Sequence, residues 1–394
     1  MFRRIYLDNS ATTPVDPDVL AVMMPYLTDK FGNASSIHHF GQETRAGVDK
    51  ARHQVAALIN SRPNEIIFTS GGTEANNLAV RGLAEANQKY GKHLIISEIE
   101  HPAVENVCED LEKQGFSVSY LPVYDSGVVR LEDLKAAVRD DTILISVMSA
   151  NNEIGTIQPV GEIGRFVGDL RATGRKIWFH TDAVQAVGKI PVDVEDLGCD
   201  LLSLSAHKIN APKGIGALYV RRGVRLHPQN IGGRQERGIR GGTESVPLIA
   251  ALGAACEIAN RRMESEGIRL GKLRDRFEDA VIEQITEAFI NGAADMRLPS
   301  ISNISFGRIE GEGLLINLDM QGVAVSTGSA CSSGSLEPSP VIRALGREDD
   351  LARGAIRFSF GLYNTEEDVD RLISILPSAV ENLRRLSPVR KAAC

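Results

Sequence analysis

The stretch from Ser203 to Gly216 reads S-L-S-A-H-K-I-N-A-P-K-G-I-G and follows directly on the apolar residues Leu201 and Leu202. A lysine delivered at a strand end beside a hydroxyl (Ser205) and an imidazole (His207) can hold a carbonyl cofactor as a Schiff base while its neighbours hold a phosphate. On Lys208 alone, a salt-bridged loop lysine is the better explanation. Other chemistry-bearing residues must decide. Gly71-Gly72-Thr73 stands at an expected helix start, where first-turn amides lack partners and the dipole favours an anion; it lacks the spacing of a dinucleotide or Walker motif. Asp182 follows the expected strand Ile177–Phe179, where a carboxylate can hold a protonated ring nitrogen and strengthen an electron sink, or simply cap a helix. His101 can stack on such a ring or move a proton near neutral pH. Asn152 and Gln185 can hydrogen-bond a ring hydroxyl, or ordinary loop backbone.

Two further residues stand apart. Cys331 lies in S-T-G-S-A-C-S-S-G, a run of small and hydroxylic residues that reads as a flexible loop presenting an exposed thiol. Arg357, inside the strand-like G-A-I-R-F-S-F, is costly if it points inward unpaired; a substrate carboxylate or a structural acid would satisfy it. The histidines show no recognisable metal-ligand spacing.

The elements that would position these residues follow one grammar. Short strand-like runs at Ile66–Phe68, Leu94–Ser97, Ser117–Leu121, Ile143–Val147, Ile177–Phe179 and Leu201–Leu204 alternate with helical stripes. That alternation predicts a mainly parallel sheet with helical crossovers on both faces. Ligands of such sheets bind beyond the carboxyl ends of the strands, and the polar clusters all stand there. After Val220 a basic, glycine-rich segment precedes a long helix from about Val246, and strand-like runs near Asp295–Arg308 and Ala355–Phe360 predict a smaller α+β domain.

With 394 residues, 43% of them hydrophobic and 24% charged, the chain has the composition of a globular protein with more than one core. A formal charge of -7 and a pI near 5.7 give no support to a nucleic-acid or anionic-membrane partner. Five scattered cysteines form no disulfide framework or CxxC pair and fit a reducing compartment. Cys108, Cys199 and Cys256 read as packing residues, and Cys394 as a terminal one. No secretory signal or span of 18 apolar residues is evident, so a cytoplasmic location is expected.

In their order along the chain, L-D-N-S-A-T-T-P, F-G-N-A-S-S, T-S-G-G-T-E-A-N-N, E-H-P-A-V, N-N-E-I-G-T-I-Q, H-T-D-A-V-Q, S-A-H-K-I-N-A-P-K-G and S-T-G-S-A-C-S-S-G resemble the cysteine desulfurases of the NifS/IscS class. The resemblance covers essentially the whole chain and leans towards the NifS type through G-I-R-G-G-T-E-S. It implies an α/β fold-type I pyridoxal-phosphate enzyme with a mainly parallel seven-stranded sheet. A large domain over 15–255 and a small one from 1–14 and 256–394 are expected. It further implies pyridoxal 5'-phosphate as a Schiff base on Lys208, with His101 on the ring, Asp182 at its nitrogen and Gln185 at its hydroxyl. Gly72, Thr73, Ser205 and His207 would hold the phosphate, with Thr243 from the other subunit of a homodimer. Asn152 and Arg357 would bind the substrate carboxylate.

The activity implied is conversion of L-cysteine to L-alanine with sulfur left as a persulfide on Cys331. The implied acceptor is an iron–sulfur scaffold of the NifU/IscU type, where Cys331 could also ligate a cluster; no metal is expected in the isolated enzyme, and nitrogen fixation is one setting. A selenocysteine lyase or another fold-type I lyase shares much of this cradle and is the alternative, with a non-enzymatic sulfur carrier a more distant one.

Overall fold

The structure, a computed structural model, describes residues 3–327 and 337–386. The chain opens with β1 (Ile5–Tyr6), α1 (Pro17–Met23) and α2 (His39–Leu58). Then β2 (Ile66–Thr69) leads into α3 (Gly72–Asn87), β3 (His93–Ser97) into α4 (Pro102–Lys113), and β4 (Ser117–Leu121) into α5 (Leu131–Ala137). Next come β5 (Thr142–Ser146), α6 (Val160–Ala172), β6 (Trp178–Asp182), α7 (Val194–Leu197), β7 (Leu201–Ser205) and β8 (Gly216–Val220). The remainder is α8 (Val246–Gln284), β9 (Ala288–Ile290), β10 (Ile301–Phe306), α9 (Gly311–Met320), β11 (Val323–Ala324), α10 (Pro340–Ala344), α11 (Asp349–Arg353), β12 (Ala355–Ser359) and α12 (Glu366–Leu386).

Seven strands form one sheet in the order β2-β8-β7-β6-β5-β3-β4. Only β8 runs against its neighbours, β2 and β7. Since β8 opposes both, β2 is parallel to β7, and its carboxyl end emerges on the same edge as those of β3, β5, β6 and β7. Alternation of side chains splits each strand between two cores. Ile66, Phe68, Ile95, Ile145, Phe179, Leu202 and Tyr219 face one, together with α2, α6 and the first half of α8. Ile67, Leu94, Ile96, Leu144, Leu201 and Leu218 face the other, under α3 and α4. Burial on both faces explains why these strands read as apolar runs.

A third core forms where Leu273, Phe277 and Val281 of α8 meet β10, β12 and α12. In it β12, β10 and β9 make an antiparallel sheet. The amino terminus joins this part of the molecule, because β1 pairs with β11 in parallel register Ile5↔Val323. The single helix α8, 39 residues and so about 58 Å long, thus connects the main sheet to the carboxy-terminal layer.

Candidate functional site

The carboxyl edge of the main sheet gathers the chemistry. A cavity of about 440 Å³ is lined by Gly72, Thr73, His101, Asn152, Asp182, Gln185, Ser205, His207, Lys208 and Arg357, together with Ser10, Ala11 and Asn76. Ten of the residues singled out in the sequence therefore meet. Thr243 is exposed and does not line the cavity of its own chain. Cys331 lies outside the described residues.

Lys208 closes a single 3-10 turn, Ala206–Lys208, that follows β7 immediately. Its Nζ donates to the carbonyls of Ser10 and Ala11 at 2.5 and 2.7 Å. The amino-terminal L-D-N-S-A segment therefore touches the Lys208 amine directly. His207 lies beside it, with Nδ1 3.2 Å from Thr12 Oγ1. Burial, then the charges of Lys208, Lys213 and Lys189, push its imidazole down to about 4, so it is neutral at physiological pH.

Asp182 is the last residue of β6, so that strand extends three residues beyond the apolar Ile177–Phe179 run. Its interior histidine explains the difference: His180 is buried between Ser146 Oγ at 2.8 Å and Ser203 Oγ at 3.0 Å, a polar residue satisfied inside the sheet. The Asp182 carboxylate is buried and accepts from Asn76 Nδ2 at 2.6 Å and the Val184 amide at 2.9 Å. His101 caps α4 through Nδ1, which accepts from the Ala103 amide at 3.0 Å. A backbone N–H is always the donor, so Nδ1 is unprotonated and Nε2 carries the proton. Burial lowers the His101 pKa first; Asp182 acts against that and Lys208 adds to it.

The start of α3 is bare backbone. Gly71, at φ +155°, turns the chain, and Gly72 begins the helix. A Cβ at Gly72 would lie 2.9 Å from Val184 Cγ2 and 3.5 Å from Ser205 Cβ, so only glycine leaves this end open to the cavity. Arg357 projects from β12 and is buried; it donates to the Asn152 carbonyl at 2.8 Å and to Asp8 Oδ1 at 2.7 Å. Its Nε is buried with no partner among the described residues.

Sequence reasoning gave no role to Asn76, Asp8 or Glu100. Asn76 and Asp8 stood inside quoted motifs, yet their partners lie 106 and 349 positions away. Glu100 is buried with Oε1 accepting from Ser97 Oγ at 2.6 Å and the Met148 amide at 2.8 Å, tying the ends of β3 and β5 together behind the cavity. The three described cysteines, Cys108, Cys199 and Cys256, are buried, and burial raises each thiol's pKa.

The donor set suits a phosphorylated pyridine aldehyde. There is an amine for the aldehyde, a buried carboxylate for the ring nitrogen, a neutral imidazole, and a glycine-opened helix terminus with Ser205 and His207 for the phosphate. Two buried polar atoms at the cavity, Ser10 Oγ and Asn76 Oδ1, have no partner among the described residues, as expected of a surface shaped for a ligand.

The family model for class-V aminotransferases matches residues 5–372. The chain is 51% identical to a cysteine desulfurase IscS of Dictyoglomus turgidum over 391 residues, covering 99% of this chain and 98% of that protein. It is 48% identical to a human cysteine desulfurase over 99% of this chain and 84% of the other. Among solved structures, a NifS-like protein superposes with a TM-score of 0.90 at 39% identity, covering 96% of this chain and all of the other. The chain belongs to the pyridoxal-phosphate-dependent class-V aminotransferase family and, within it, to the cysteine desulfurases of the IscS/NifS type.

Proposed function

We propose that Lys208, His101, Asp182 and Cys331 divide the desulfurase reaction between them, with L-cysteine and an acceptor thiol giving L-alanine and a persulfide. The observation that carries this reading is the convergence of Lys208, Asp182 and the open start of α3 on one cavity. Lys208 would hold pyridoxal 5'-phosphate, and Gly72, Thr73, Ser205 and His207 its phosphate. When bound, that group supplies an electron sink for the substrate's Cα. The Asp182 carboxylate, fixed by Asn76 and Val184, would keep the ring nitrogen protonated. The Asn152 side chain and Arg357, both of which line the cavity, would take the substrate carboxylate.

Lys208 Nζ would then remove the Cα proton, and His101, whose Nε2 carries the proton, would donate one. The Cys331 thiolate attacks the substrate sulfur: the carbon–sulfur bond breaks, a sulfur–sulfur bond forms, and the carbon fragment is protonated to alanine. Chain connectivity supports this role. The backbone of Ser326 pairs with Arg357 at the cavity wall, and Cys331 stands five residues further on, a reach of at most about 18 Å. On the other side of the cysteine segment, Ser339 Oγ donates to the buried Glu153 at 2.6 Å.

A homodimer in which each chain offers Thr243 to its partner's phosphate site fits the exposure of that residue. The persulfide would pass to an iron–sulfur scaffold protein, in keeping with the IscS names of the relatives. The domain division proposed is 15–255 against 1–14 with 256–394, which the pairing of β1 with β11 supports. Lys208→Ala tests the reading: it should lose the visible absorption of bound cofactor and all alanine formation, and retention of both would refute it.

A further inference from the structure

Lys189 has no part in the roles above, yet it is joined to the site. Its Nζ donates to Gln185 Oε1 at 2.8 Å, and the other end of that amide, Nε2, donates to the Ser10 carbonyl at 3.0 Å. The same carbonyl accepts from Lys208 Nζ at 2.5 Å. A chain of three hydrogen bonds therefore links Lys189 to Lys208.

Both lysines also line a second cavity, in which Asp16, Arg262 and Glu266 are the other charged groups. Asp16 pairs with Arg262 at 2.7 Å and Glu266 with Arg269 at 2.7 Å, so both carboxylates are already engaged. Burial, then the charges of Lys208 and Arg357, bring the Lys189 ammonium down to about 7, and Lys189 in turn helps to depress His207.

An amide side chain has a donor end and an acceptor end, and its own shape does not decide which faces a ligand. Here both ends are fixed. With Oε1 held by Lys189 and one N–H of Nε2 on Ser10, the second N–H remains for the cofactor cavity that Gln185 lines. Turned over, the amide would set donor against donor at Lys189 and acceptor against acceptor at Ser10, each a buried unmet group. A neutral amine still donates, so the arrangement survives loss of the Lys189 proton.

We infer that Lys189 is a positioning residue that holds Gln185 with an N–H towards the cofactor, so that the ring oxygen is met by a donor and kept anionic. This rests on the reading that Gln185 faces that oxygen. A donor there draws charge from the oxygen and so lowers the proton affinity of the nitrogen that Lys208 contributes.

The test is a pH titration of the visible absorption of the holoenzyme in wild type, Lys189→Met, Gln185→Ala, the double variant and Lys189→Arg. The midpoint should rise by about half a unit or more in Lys189→Met and in Gln185→Ala. The double variant should match Gln185→Ala, and Lys189→Arg should return towards wild type. An unmoved midpoint in Lys189→Met while Gln185→Ala shifts it, or a full extra shift in the double variant, overturns the inference and leaves the Gln185 assignment standing. An unmoved midpoint in Gln185→Ala overturns both. If Lys189→Met does not fold, Lys189→Leu, which likewise carries no donor, is titrated and read in the same way.

Discussion

Asn76 Nδ2 stands 2.6 Å from Asp182 Oδ2, joining the first turns of α3 to the last residue of β6 across the floor of the cavity. One residue therefore links the expected phosphate end of the site to its expected ring-nitrogen end. Asn76→Ala should leave the Asp182 carboxylate with the Val184 amide as its remaining bond and cost roughly 1–3 kcal/mol of stability. Chemical denaturation of the apoprotein measures that cost, and alanine formation should fall about tenfold or more; unchanged values in both would remove Asn76 from the site.

Gly72→Ala should spare the fold but damage the cradle. The added Cβ, 2.9 Å from Val184 Cγ2, must displace a neighbour at the helix start where an anion would sit. Reconstitution of apoprotein with pyridoxal phosphate, followed by absorption, should show affinity weakened by about tenfold or more. Equal affinity would mean that the phosphate is held elsewhere.

Glu100 gives a pH dependence of definite sign. Burial, aided by Asp182 and Glu105, pushes its carboxyl up to about 8 against the opposing bonds from Ser97 and Met148. The folded chain thus holds a proton that the unfolded chain releases above about pH 4.5. Its contribution is complete below that pH and is lost as pH rises to about 8. Glu100→Gln removes the titration, so its stability relative to wild type should climb between pH 4.5 and 8 by an amount on the order of 3–5 kcal/mol. Denaturation of both proteins across this range checks it; a flat difference would mean that Glu100 is ionised in the fold.

Arg357 is oriented by Asp8 at 2.7 Å and by the Asn152 carbonyl at 2.8 Å. Asp8→Asn keeps a hydrogen-bond acceptor but removes the charge, so the guanidinium should remain near its place with less restraint. The Michaelis constant for cysteine is expected to rise several-fold with the cofactor spectrum unchanged. Arg357→Leu should raise it further, and a normal constant in that variant would rule out Arg357 as the carboxylate site.

Much of this arrangement was legible in the sequence, for reasons that differ by element. The strands β3 and β5 are apolar because both sheet faces are covered, so their runs marked them to within a residue, while the edge strand β4 is only partly buried and was marked by its short S-V-S-Y-L run. The motifs after β2, β6 and β7 pointed to one edge because parallel strands share it. His180 concealed the end of β6, since a polar residue satisfied by Ser146 and Ser203 interrupts an apolar run without interrupting the strand. Asp8 with Arg357, Asn76 with Asp182, and Lys189 with Gln185 were not legible. The first two depend on long-range folding. The third, though only four residues apart, depends on which side chain the local turn leaves inside the molecule.

The most direct test of the account is incubation of the holoenzyme with sulfur-labelled L-cysteine, trapping of persulfides by alkylation, and mass spectrometry of the cysteine peptides alongside alanine quantification. The account predicts labelled sulfur on Cys331, stoichiometric with alanine in a single turnover, and neither product in Cys331→Ser although its cofactor spectrum still responds to cysteine. Alanine formed at the wild-type rate by Cys331→Ser, or label on Cys108, Cys199 or Cys256 instead, would contradict it.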